Sequence, residues 1–126
     1  MDVVVGIDVS KEFLDVHIEP SGEALRVGND HDGLEELIAR LRAVDADVSV
    51  MEATGGYESL AAAALAQAGF AVAVVNPAQV RAFADALGQR AKTDAIDAAV
   101  IARFALAVKP QVRALQGAQA QAFGEL

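Results

Sequence analysis

Four carboxylates stand out by type and position: Asp8, Glu52, Asp94 and Asp97. Asp8 closes the apolar run Val3-Val4-Val5-Gly6-Ile7, and Glu52 closes Val48-Ser49-Val50-Met51. Such β-branched runs read as buried strands, and a carboxylate at the end of a rigid strand reaches into a cleft while the sheet fixes its backbone. Asp94 and Asp97 follow Thr93, a helix-capping residue type. With Thr93 as the cap, the two acids share a face near the positive end of a helix. If that helix packs across the strand ends, four carboxylates converge. They would repel and raise each other's pKa values unless a cation neutralises them. Ligation by carboxylates alone suits Mg²⁺ or Mn²⁺, and two such ions ~4 Å apart can activate a water and hold the leaving oxygen of a phosphodiester. Taken singly, each acid also has a plainer reading: Asp8 as a turn former after an edge strand, Asp94 and Asp97 as first-turn acids complementing the helix dipole.

The elements that would position these residues follow in order. After the first strand, Leu14, Val16 and Ile18 alternate with Asp15, His17 and Glu19, a half-buried strand. Pro20-Ser21-Gly22 turns the chain, and Leu25 and Val27 flank Arg26 in a third strand, completing an antiparallel meander. His17 and His31 read as an exposed strand residue and a turn residue rather than as ligands. Asn29, Asp30 and Asp32 offer caps for a helix with Leu34, Leu37, Ile38 and Leu41 on one stripe. Beyond Glu52, Ala53-Thr54-Gly55-Gly56 leads into a helix from about Tyr57 to Ala68, with Leu60, Ala64 and Leu65 inward and Gly69 as its stop. Ala71 to Val75 is a further buried strand. Asn76-Pro77 starts a helix with Val80, Phe83, Ala84 and Leu87 inward, ended by Gly88. The helix after Thr93 runs to about Val108. Strand, helix, strand, helix implies right-handed crossovers and a parallel half to the sheet.

A chain of 126 residues without cysteine is one domain with no disulfide framework, no thiolate zinc site and no thiol nucleophile. No apolar segment reaches the ~18 residues that a membrane span needs, and the N-terminus lacks a signal-peptide layout, so a soluble, cytoplasmic protein with no membrane partner is expected. The net charge of −8 counts against nucleic acid, but it is unevenly spread: residues 1–60 hold 14 acids and 4 bases, residues 61–126 hold 4 acids and 6 bases. A phosphate-facing surface is therefore expected in the second half, from Arg81, Arg90, Lys92 and Arg103, with Lys11 beside Asp8.

Four motifs in order, Gly6-Ile7-Asp8-Val9-Ser10-Lys11, Met51-Glu52-Ala53-Thr54-Gly55-Gly56-Tyr57, Val75-Asn76-Pro77-Ala78-Gln79-Val80-Arg81-Ala82-Phe83-Ala84 and Lys92-Thr93-Asp94-Ala95-Ile96-Asp97-Ala98, span nearly the whole chain. They resemble the DEDD transposases of bacterial insertion sequences, the Piv type. The resemblance implies an α/β, RuvC-like ribonuclease-H fold whose five-stranded mixed sheet has three antiparallel and then two parallel strands. It implies that Asp8, Glu52, Asp94 and Asp97 are catalytic metal ligands for Mg²⁺ or Mn²⁺. It also implies a DNA strand-transfer activity on element ends and target, a structured guide RNA, and a homo-oligomer, dimer or tetramer, in the full-length protein. Residues 1–108 would form the catalytic domain and 109–126 the start of a helical, coiled-coil linker. The family's nucleophilic Ser belongs to a C-terminal domain outside these residues, and none of Ser10, Ser21, Ser49 and Ser59 is assigned that role.

Two other classes compete. An actin-like or sugar-kinase-like nucleotide-binding domain also opens with an apolar strand and an Asp, but needs glycine-rich phosphate loops, for which Gly55-Gly56 is a poor candidate. A non-catalytic assembly module would have no use for the four carboxylates.

Overall fold

In the computed structural model, which describes residues 2–88 and 96–109, a five-stranded sheet is covered by helices on both faces. The central strand is β1 (Val4–Val9), whose β-branched residues are almost wholly buried. It pairs antiparallel with β2 (Phe13–Glu19), which pairs antiparallel with β3 (Glu23–Gly28). On its other side β1 pairs parallel with β4 (Val48–Glu52), and β4 with β5 (Val72–Val75), so the strand order is β3-β2-β1-β4-β5. This is the expected arrangement of three antiparallel and two parallel strands.

Alternation along the strands divides the core in two. Val5, Ile7, Leu14, Val16, Ile18 and Met51 face the first pair of helices, α1 (His31–Ala43) and α2 (Ser59–Gln67), and pack on Leu34, Leu37, Leu41, Ala61 and Leu65. Val4, Val50, Ala73 and Val75 face the second pair, α3 (Pro77–Leu87) and α4 (Ala98–Val108), and pack on Val80, Ala84, Ile101 and Phe104. Phe83 meets Phe104 edge-to-face at 5.6 Å, which locks α3 to α4. Asp30 caps α1 by accepting from the Gly33 N–H, and Asn76 caps α3 from the Ala78 N–H with Pro77 next, as expected.

Several expectations shift. Tyr57 and Glu58 lie in the turn before α2, so the helix starts at Ser59 and its buried stripe rotates onto Ala61 and Leu65, leaving Leu60 exposed. Leu87 is exposed at the last turn of α3. His17 is half-buried, with Nε2 2.7 Å from Glu19 Oε2, because α4 lies over β2. The largest change concerns the final helix. Ile96 is buried and holds the lead-in extended, so α4 begins only at Ala98, and its cap is Asp97 rather than Thr93. Thr93, Asp94, Arg90, Lys92 and the expected linker from residue 110 onward lie outside the described residues. No helix among the described residues is long and apolar enough to cross a membrane.

Candidate metal centre

Parity places the first two carboxylates on one side of the sheet. Val4, Gly6 and Asp8 alternate onto the α4 face of β1, and Val48, Val50 and Glu52 onto the same face of β4. The ladder between these strands ends at the pair Ile7 and Met51, and the two acids follow one residue later. Asp8 is held on its other flank by pairing with Asp15 of β2, and Glu52 by pairing with Val75 of β5.

Gly6 brings α4 onto this face. A Cβ there would stand 2.3 Å from the Ala98 carbonyl oxygen and 2.5 Å from the Ala102 nitrogen, so only a glycine lets the first turn of α4 rest against β1. That contact carries Asp97 to the neighbourhood of Asp8. The Asp97 carboxylate is partly engaged already: Oδ1 accepts from the Val100 N–H at 3.0 Å.

Burial pushes the Asp8 pKa up, and the negative charges of Asp15 and Asp97 push it the same way, with Arg26 opposing. Burial likewise raises Glu52, the charge of Asp8 adds to it, and Arg81 opposes. Glu52 Oε2 is buried and has no hydrogen-bond partner among the described residues. A buried carboxylate oxygen left without a donor, beside a second carboxylate, is the donor chemistry that a hard divalent cation satisfies. Asp8 and Glu52 therefore fit such an ion. Among the described residues no three Asp, Glu or His side chains are grouped closely enough to hold one by themselves. Of the four expected ligands, the structure thus brings Asp8 and Glu52 to one face with Asp97 within electrostatic reach of Asp8, while Asp94 falls outside the described residues.

Of the expected cations, Lys11 is exposed in the turn after β1, Arg81 on α3 near Glu52, and Arg103 on α4. Arg26, from the acidic half of the chain, was not anticipated. Its Nε and a terminal nitrogen donate to Asp15 at 2.7 and 3.1 Å, its guanidinium lies 4.6 Å from the Phe13 ring centre, and its charge reaches Asp8. The signal was the strand register, which sets Asp8 opposite Asp15 and Asp15 opposite Arg26. Between β2, β3 and the start of α4 runs a shallow cleft of about 350 Å³ lined by Asp15, His17, Leu25 and Asp97. A second, more apolar cleft of about 230 Å³ lies at the opposite end of the sheet and contains none of the four acids.

Two loop features were also missed. Glu58 Oε1 accepts from the Thr54 N–H at 3.0 Å, the Thr54 hydroxyl at 2.6 Å and the Gly56 N–H at 3.1 Å, closing the loop behind Glu52. Those donors hold its carboxyl down at about 2, the Thr54 side chain foremost. Asn29 bonds to both the β1–β2 turn and this loop.

The structure is similar in fold to T. thermophilus RuvC in complex with a Holliday junction substrate, with a TM-score of 0.57 at 16% identity over 90% of this chain and 100% of that one. The fold is RuvC-like, of the ribonuclease-H type. In sequence the chain is similar to the pilin gene-inverting proteins of Moraxella lacunata and Moraxella bovis, each 33% identical over 113 residues covering 84% of this chain and 35% of theirs. It thus spans about a third of the length of these relatives. A transposase family model matches residues 5–126, nearly the whole chain, and the chain belongs to the IS110-type DEDD transposases.

Proposed function

We propose that this chain is the divalent-cation-dependent catalytic domain of a DNA transposase or site-specific recombinase, cleaving and transferring DNA strands. The observation that carries this reading is the Asp8 and Glu52 pair: two carboxylates on adjacent strand ends, both with raised pKa, one with a buried oxygen lacking any partner among the described residues. Asp94 and Asp97 complete the ligand set. Mg²⁺ or Mn²⁺ bound there would supply an activated oxygen nucleophile and charge stabilisation at a phosphodiester. The chain's own part is to aim Asp8 and Glu52 from two stiff strands, to bring Asp97 near Asp8 through the contact at Gly6, and to set Arg26 near Asp8 and Arg81 near Glu52. Lys11, Arg81, Arg90, Lys92 and Arg103 contact phosphates of the DNA, both element ends and target. In the full-length protein a structured guide RNA directs the reaction within a homo-oligomer, a dimer or tetramer, in the bacterial cytoplasm. Residues 1–108 form the catalytic domain, and 109–126 begin a helical linker.

Recombination conserves the phosphodiester energy for rejoining, which calls for a covalent nucleophile. Ser10 Oγ donates to the Phe13 carbonyl, Ser21 Oγ to the Ile18 carbonyl, Ser49 is fully buried on β4, and Ser59 is exposed at the start of α2. The resemblance to the DEDD transposases assigns the nucleophile to a Ser of a C-terminal domain in the full-length protein, and none of these four serines is given that role. Supercoiled DNA carrying the element ends, incubated with this chain and Mg²⁺ or Mn²⁺, should be nicked in a cation-dependent way, with no covalent protein–DNA adduct. Asp8→Asn and Glu52→Gln should abolish the nicking. Nicking that survives chelation or either substitution would refute the metal centre.

A further inference from the structure

Asn29 sits at the junction of β3 and α1, yet its described hydrogen bonds run to the two loops that leave the carboxylate strands. Its Nδ2 donates to the Ser10 carbonyl at 2.9 Å and to the Tyr57 carbonyl at 3.0 Å, and its backbone N–H donates to the Glu12 carbonyl at 2.9 Å. Ser10 lies just past Asp8, in a turn whose own Ser10 N–H and hydroxyl are bonded to Phe13. Tyr57 lies in the loop past Glu52 that Glu58 closes. Both partners of the side chain are carbonyl oxygens, so the group between them must be the amide nitrogen and not the oxygen. Asn29 Oδ1 is left buried without a partner among the described residues. A buried acceptor left unpaired is unfavourable, so the two donated bonds are kept at a local cost.

The position of this amide matters because the β1–β4 ladder ends at Ile7 and Met51, one residue short of both acids. Beyond that pair the described backbone bonds hold Asp8 only toward β2 and Glu52 only toward β5. The bridge from Ser10 through Asn29 to Tyr57 ties together the two segments that carry the acids onward. We propose that Asn29 is a positioning residue for the metal centre, fixing the separation of Asp8 and Glu52 by clamping the loops that follow them. This rests on the metal-binding reading above. Removing a group hydrogen-bonded directly to metal ligands changes affinity 10- to 100-fold, and Asn29, which acts through the backbone of the following loops, is expected at the low end of that range.

The test is Mn²⁺ titration of the whole chain, read by loss of the free-ion electron paramagnetic resonance signal and normalised to the folded fraction from circular dichroism. Asn29→Ala should weaken binding about tenfold per folded molecule. Asn29→Asp keeps the side-chain shape but replaces both donors with an acceptor, so it serves if the alanine variant does not fold. It should also weaken binding, although the added negative charge alone would strengthen it. Wild-type affinity in folded Asn29→Ala, or tighter binding in Asn29→Asp, would overturn the proposal while leaving the metal centre standing. A wild-type chain that binds no Mn²⁺ would overturn the metal centre, and this clamp with it.

Discussion

Glu52 and Glu58 belong to one strand-to-helix connection and have opposite surroundings. Glu58 collects three hydrogen bonds on a single oxygen, and its pKa falls to about 2. Glu52 has an oxygen buried with no described partner, faces the charge of Asp8, and its pKa rises. An acid whose donors come from its own loop is spent on holding that loop. An acid left without donors is held in readiness for something brought from outside, and residue type alone does not separate the two.

The sharpest way to break the contrast is to lift the cover from the unsatisfied pair. Gly6→Ala places a methyl group against the backbone of α4, at Ala98 and Ala102, where no side chain can move aside. The helix must shift, and the expected loss is about 3 kcal/mol or more in urea unfolding. Divalent-ion binding at Asp8 should fall with it, while the loop around Glu58 keeps its protection in amide exchange. Wild-type stability would mean that α4 does not rest on β1 as described.

Removing Glu58 tests the other side. Glu58→Ala should cost about 1–2 kcal/mol, less than bonds to a buried carboxylate would give because this one is partly exposed. The sign with pH follows from a depressed pKa: the contribution is present above the ordinary value of 4.5 and is lost as pH falls toward 2. Urea midpoints of wild type and Glu58→Ala should therefore converge across that range. A constant gap would assign the loss to something other than the carboxylate.

The smallest effect should have the opposite sign. In metal-free buffer Asp8→Asn or Glu52→Gln removes a repelling charge and should stabilise the chain by about 1 kcal/mol, the scale of two unit charges ~4 Å apart in water. The raised pKa values of Asp8 and Glu52 mean that their folded forms hold protons more tightly. The contribution of these two groups to metal-free stability should accordingly be greatest at low pH and be lost as pH rises through the raised values, opposite to that of Glu58. Destabilisation of both variants at neutral pH would place these acids in the frame of the fold instead.

Most of the scaffold was legible because it rests on short-range pattern. The β-branched run of β1, the alternation of Leu14, Val16 and Ile18, and the caps Asp30 and Asn76 each act within a few residues. The strand-end positions of Asp8 and Glu52 follow from the same pattern. What escaped depends on neighbours distant in sequence. Asp97 became the cap of α4 because Ile96 is pinned in a core made by other elements. Arg26 reached the site through two strand registers, which the charge totals of the two halves of the chain could not reveal. Asn29 read as one of several possible helix caps, and only the approach of Ser10 and Tyr57 shows what its amide does.

The route of the chain also sets an order of assembly. The antiparallel meander of β1, β2 and β3 closes through short turns, whereas α4 returns to Gly6 from residue 98 after every other described element has been laid down. Loop-closure entropy grows with the length of chain enclosed, and contacts between distant residues slow folding. A nascent chain can thus form the strand pairs bearing Asp8 and Asp15 while still lacking Asp97 and the helix that shields them. Among the described elements the face bearing Asp8 and Glu52 is the last to be covered, so incomplete chains on the ribosome carry these carboxylates open and hydrated.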